Sequence, residues 1–198
     1  MRSSAASDVY KRQDTVRASA CDAFRMAVTE IKCNCGGKMS VTVPKQSFFY
    51  LANAVEDKDL LEFGLNANTL VFIKSDMLFS TRIISEPFMN IDRLLNMPDK
   101  MLVAKIKAND MKTMAETVSM ITNVSEDTAP VLLKFKNNNL QLSIESTEAE
   151  STLNVPIESV NMISGEFYYN AKYFSDMLKV IRGDVDVYMT KRGILYAS

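Results

Sequence analysis

The chain contains no histidine. That removes the Ser-His-Asp and Cys-His arrangements that activate a hydroxyl or thiol as a nucleophile. Cysteine is sparse, at positions Cys21, Cys33 and Cys35. An odd count without a framework points to a reducing compartment and three free thiols. The stretch Cys33-Asn-Cys35-Gly-Gly offers at most half of a metal site, because structural zinc normally takes four ligands. No apolar run approaches the roughly 18 residues of a membrane span. No apolar stretch of signal-peptide type stands near the N-terminus, so a cytoplasmic location is expected. There is no G-x-G-x-x-G, and Gly36-Gly37-Lys38 lacks the upstream glycine and following Ser or Thr of a phosphate loop. Asn123-Val-Ser has the form of a glycosylation sequon, without meaning in a chain that is not secreted. The densest acidic stretch, Glu145–Glu150, falls between two expected strands and reads as a solvated turn. No enzyme activity, cofactor or metal is expected.

What remains is ordinary in bulk. The 198 residues suit one or two domains, and 47% apolar with 24% charged residues suits a globular protein. A net charge of −1 excludes a globally basic nucleic-acid binder, so DNA affinity must come from local patches. The first thirteen residues, MRSSAASDVYKRQ, are polar and show no period. Residues 1–13 are therefore read as a non-native or disordered tail, set apart from fold reasoning.

The rest repeats one pattern, a strand, a helix and three strands. In the first copy, Ser40–Val43 is a strand and Pro44 suits a helix start. Lys45 to Val55 is the expected helix, with Phe48, Leu51, Ala52 and Val55 inward. Strands over 60–66, 69–75 and 77–84 follow, with Asn66-Ala67-Asn68 as a turn. In the second copy, strand 101–108 leads to a helix capped by Asn109 or Asp110, with Met111, Met114, Ala115 and Val118 on one face. Strands over 131–136, 140–146 and 151–157 follow, with Asn137–Asn139 as a turn. In the third copy, strand 166–169 leads to Asn170 as N-cap and a helix with Tyr173, Phe174, Met177, Leu178 and Ile181 on its apolar stripe. Ser119, Ser175 and the lysines take the opposite faces. Gly183 ends the helix, and strands over 184–190 and 193–197 follow. The period is roughly 60 residues, which implies packed half-domains rather than a stacked array. The fold class is α+β, with each helix laid on one face of an antiparallel sheet.

Three stretches carry a resemblance. VRASACDAFRMAV (Val16–Val28) resembles the T-D-G-x-R-L-A segment of the bacterial replicative sliding clamp, the beta subunit of DNA polymerase III. STRIISEPFMNIDRLL (Ser80–Leu95) and FYYNAKYFSDML (Phe167–Leu178) resemble two further segments of that family, in its order and spacing. The resemblance implies a clamp fold, with residues 14–98 as most of a middle domain and 99–198 as a truncated C-terminal domain. The chain is accordingly expected to be a fragment. It implies a processivity factor whose full-length form is a homodimer ring around double-stranded DNA. Sequence-independent contact would come from the helix lysines Lys45, Lys112, Lys172 and Lys179. Partners would be the replicative polymerase, the clamp loader and repair proteins, docked by short peptides in a groove between the two domains. Matched by motif position, the groove residues would be Cys21, Ala23, Phe24, Arg25, Met26, Met89, Arg93 and Leu94. Cys21 stands for the family's Thr, Ala23 for its Gly and Met89 for its Pro, which makes the groove more apolar. A stand-alone α+β peptide-binding module without DNA contact is the alternative, separated from the clamp by whether a further domain precedes residue 14 in the complete gene.

Overall fold

The computed structural model describes residues 6–12, 15–33, 37–122, 130–145, 150–161, 163 and 165–198. The chain forms two compact units, Met1–Asp92 and Arg93–Ser198. That division falls ahead of the boundary expected at Pro98. Cys35, the Asn123 sequon and the interior of the acidic stretch lie outside the described residues.

The first unit opens with β1 (Ala6–Arg12), β2 (Thr15–Cys21), β3 (Met26–Lys32) and β4 (Met39–Pro44), all antiparallel in the order β3-β2-β1-β4. The expected tail is thereby corrected over Ala6–Arg12. This segment is paired on both edges, with β2 on one side and β4 on the other, and Val9 is buried. Pairing to a neighbour on each side gives the backbone of such a strand its hydrogen-bond partners, and pairing to segments distant in the chain leaves no local period to read. Met1–Ala5 and Gln13 lie outside the described residues.

α1 (Lys45–Ala54) follows directly on Pro44 and buries Leu51, with Phe48 and Val55 against the core. Ala52, expected inward, is exposed. β5 (Glu62–Asn66), β6 (Thr69–Lys74) and β7 (Met77–Arg82) form a meander. Phe63, Phe72 and Phe79 stand opposite one another across its three strands, with ring centroids 6.0 and 6.3 Å apart. Ala67 takes φ 51° in the expected turn. The short helix α2 (Ile91–Leu95), which periodicity does not announce, buries Ile91 and runs across the boundary between the units.

The second unit contains β8 (Met101–Ile106), α3 (Ala108–Thr122), β9 (Pro130–Lys136), β10 (Asn139–Glu145), β11 (Glu150–Pro156), β12 (Glu158–Ser159), β13 (Phe167–Asn170), α4 (Ala171–Val180), β14 (Val185–Met189) and β15 (Leu195–Ala197). Its sheets run β11-β10-β9-β13 and β12-β8-β14-β15. The first strand of each repeat therefore joins the sheet of the other repeat: β13 pairs with β9, and β8 with β14. This exchange fuses two half-domains around one core, in which Met114, Val118, Leu133, Leu142 and Met189 are almost fully buried.

Two further expectations are corrected here. The N-terminus of α3 is capped neither by Asn109 nor by Asp110, which lie inside the helix. The Asp184 carboxylate accepts from Ala108 N–H at 3.0 Å and from Lys107 Nζ at 2.7 Å. A cap supplied from 76 residues away leaves no local signature. Ser119 and Ser175 do not face away. Ser175 is buried, and the two hydroxyls stand 3.4 Å apart where α3 and α4 pack together. Small side chains let two helices approach, so serine belongs at that contact despite its polarity.

Asn170 does cap α4, its side chain accepting from Tyr173 N–H at 3.1 Å. Gly183 takes φ +81° in the turn that leads to β14. We expect Asn170→Ala to lower unfolding stability by about 1 kcal/mol, the usual cost of losing an N-cap. Urea unfolding checks this; Asn170→Asp should retain most of the stability, because aspartate caps as well.

Candidate functional site

β2 ends at Cys21 and β3 begins at Met26, and these two residues stand opposite each other in register. The four residues between them make a tight turn. Asp22 N–H donates to Arg25 O at 3.0 Å. The Asp22 carboxylate accepts from Phe24 N–H at 2.9 Å, Arg25 N–H at 3.0 Å and Arg25 Nε at 2.9 Å. Burial works to raise the Asp22 carboxyl, but these hydrogen bonds outweigh it and hold the group below its ordinary value. The contribution of this carboxylate is therefore fully present above the usual carboxylate range. It is lost only as pH falls through the depressed value.

The turn places Ala23 and Arg25 in solvent and leaves Phe24 76% exposed. Arg25, a groove residue by motif position, is exposed, and its Nε is engaged by Asp22 at 2.9 Å. Met89, 48% exposed, closes on the same end of the sheet: Cys21 Sγ donates to Met89 Sδ at 3.5 Å. Burial, and next the Asp22 charge, push the Cys21 thiol up, so it is the protonated thiol that makes this contact. Cys21 thus touches Met89 and stands opposite Met26, at the root of the turn that exposes Phe24. Such a surface is apolar, polarizable and adaptable.

Two groups in this unit were missed from the sequence. Arg17 Nε donates to Glu30 Oε1 at 2.5 Å, and Arg17 Nη1 to Asp92 Oδ1 at 2.7 Å. The hydrogen bonds to Asp92 and then Glu30 push the guanidinium above its ordinary value. Ser19, between Arg17 and Cys21 on β2, is buried with no hydrogen-bond partner for its hydroxyl among the described residues. No spacing rule announces the Arg17 cluster, because its partners come from β3 and α2; a buried serine carries no local signature either.

Arg93 and Leu94 stand on α2, Arg93 exposed and Leu94 half-buried. In the second unit, Tyr196 OH donates to Leu94 O at 2.9 Å and Lys100 Nζ to Leu95 O at 3.2 Å. The Lys100 ammonium lies over the rings of Tyr188 and Tyr196, at 4.7 and 4.6 Å from their centroids. These groups satisfy carbonyls at the end of α2 that the helix itself cannot.

The four helix lysines are all exposed. Lys45 opens α1. Lys112 lies 3.8 Å from Glu116, and Lys179 lies 3.5 Å from Asp176, so each helix face in the second unit mixes both signs of charge. Cys33 is disulfide-bonded while Cys21 is free. This corrects the expectation of three free thiols; an odd count leaves one over but does not forbid a bridge. Among the described residues, no group of three or more Cys, Asp or Glu side chains is placed to hold a metal ion. No helix among them is long and apolar enough to cross a membrane.

Paired antiparallel sheets with helices laid against them define the DNA-clamp class of α+β fold. Residues 8–90 match the family of the DNA polymerase III beta subunit, central domain. The fold is shared with a putative DNA polymerase III beta subunit from Eubacterium rectale, at TM-score 0.85 and 18% identity over 98% of this chain and 53% of that one. A DNA polymerase sliding clamp from Pseudomonas aeruginosa matches at TM-score 0.82 and 18% identity, over 97% of this chain and 53% of that one. The beta subunit from DNA polymerase of Streptococcus pyogenes matches at TM-score 0.79 and 18% identity, over 98% and 53%. The chain therefore spans about half the length of the solved structures it matches, and the resemblance to the bacterial replicative sliding clamp is borne out in the fold and, over residues 8–90, in the family match. A search of curated proteins gave no match.

Proposed function

We propose that this chain is part of a DNA polymerase processivity factor, a sliding clamp that rings duplex DNA and tethers partners through short peptides. The observation that supports this most is the Asp22-tied turn. It exposes Phe24 on a turn that joins Cys21 to Met26, with Met89 against Cys21, inside the stretch that matches the central-domain family. The role is non-catalytic: the chain holds partners and DNA, and the chemistry belongs to the polymerase it serves.

The occupant of the groove is a short linear peptide with an apolar anchor, of the Gln-x-x-Leu-Phe type that the clamp resemblance implies. Arg93 and Leu94 are proposed as further contacts to it. Methionine-rich surfaces accept several ligands, which suits a polymerase subunit, a clamp loader and repair proteins in turn. In the full-length homodimer ring, Lys45, Lys112, Lys172 and Lys179 would meet DNA phosphates. Phosphate contact carries no sequence information. Lys112 and Lys179 have carboxylates close by, so they offer only part of their charge to DNA, which is the weak hold that sliding needs.

Fluorescence polarisation of a labelled peptide of that type tests the groove. Saturable binding to the folded chain, competed by unlabelled peptide, supports the proposal. A chain with a cooperative unfolding transition that binds no peptide contradicts it.

A further inference from the structure

We propose that Arg17 is a positioning residue that holds the Met89–Asp92 wall of the peptide groove against β2. The inference rests on the groove proposed above and adds a residue that the motif comparison does not assign.

Arg17, Ser19 and Cys21 alternate along β2 and so share one face of it. Two of the three reach the same short segment: Arg17 bonds Asp92 at 2.7 Å, and Cys21 contacts Met89 at 3.5 Å. The magnitudes decide which matters. A thiol–thioether contact is a weak hydrogen bond. The Ser19 hydroxyl contributes none. A charge-assisted bond from a guanidinium is roughly twice as strong as a neutral one. A lone surface ion pair contributes little because it must order two long side chains. Arg17 differs in that its side chain is only 24% exposed and is already oriented by Glu30, its register partner on β3, at 2.5 Å. The guanidinium is therefore fixed before Asp92 arrives, and the bond to Asp92 fixes the chain three residues beyond Met89. Met89's sulphur contact with Cys21 and the buried Ile91 hold the same segment beside it.

The test is a double-mutant cycle on peptide affinity, with Arg17→Met, Asp92→Asn and both together. Each single change should weaken binding about threefold to fivefold, as loss of one charge-assisted bond does when its carboxylate is 66% exposed. The double variant should be no worse than either single, because both remove the same bond. Unfolding stability measured on the same samples should fall by no more than the bond's own contribution, and equally in the double variant and in either single. Parent-like affinity in the single variants, or losses that simply add, overturns the assignment. Titration of the parent reads the groove itself, so failure of the groove and failure of Arg17 are distinguishable. A second readout needs no peptide: the 13C-methyl signal of Met89 should move toward that of a freely mobile methionine in Arg17→Met, and less so in Arg17→Lys. An unmoved Met89 signal contradicts the positioning role whether or not peptide binds.

Discussion

Leu142→Ala should lower the unfolding stability of the second unit by about 3 kcal/mol, within the 2–5 kcal/mol usual for a buried leucine cut to alanine. Leu142 lies in the middle of β10 with none of its surface exposed. It stands in register between Leu133 on β9 and Leu153 on β11. A strand flanked on both sides cannot shift to fill a hole, so the cavity term adds to the lost transfer energy. A domain this size has only about 5–15 kcal/mol to lose. The midpoint of thermal unfolding should fall by roughly 15 °C, at about 4–8 °C per kcal/mol. Thr152→Ser on β11, which is exposed and keeps the hydroxyl that pairs with Ser143 at 3.1 Å, is the control and should change stability by less than about 0.5 kcal/mol. A shift for Leu142→Ala as small as that of the control would show that the two half-domains do not share the core described.

Met26→Glu should reduce peptide affinity by about 100-fold or more, which is roughly 2.7 kcal/mol. Met26 is half-buried opposite Cys21. A carboxylate there faces Cys21 across the strands and must lose water when the peptide's apolar anchor arrives, while the neighbouring Arg25 is already engaged by Asp22. The same change should leave folding nearly intact, because in the free chain the carboxylate can turn to solvent. Leu94→Glu tests the second unit in the same way. Retained affinity in both variants would place peptide binding elsewhere.

The parts of this fold that were legible are those whose cause is local. The stripes of α1, α3 and α4 emerged because the spacing of Leu51, Met114 and Phe174 follows from helix geometry alone. The turns at Ala67 and Asn137, both with φ 51°, were marked by runs of Asn and Ala between alternating segments. The illegible parts depend on partners distant in the chain. No pattern within Ala6–Arg12 says that β2 and β4 will pair with it. Nothing in the repeat says that β8 and β13 exchange sheets. The candidate site divides in the same way. Cys21, Phe24 and Met26 follow from one contiguous motif. Arg17, Asp92, Tyr196 and Lys100 act through pairings that only the folded chain makes.

The central claim is that partner peptides dock at the turn of Phe24 and the Cys21, Met26 and Met89 side chains at its root. The chain has 13 methionines, and two of them stand at that place. Methionine 13C-methyl NMR, titrated with the peptide and assigned by single Met→Leu variants, therefore tests it most directly. The account predicts that the Met26 and Met89 signals move together and saturate at the affinity read by polarisation, while Met120, exposed on α3, stays in place. Movement of Met120 or other distant methionines with Met26 and Met89 unchanged would contradict it.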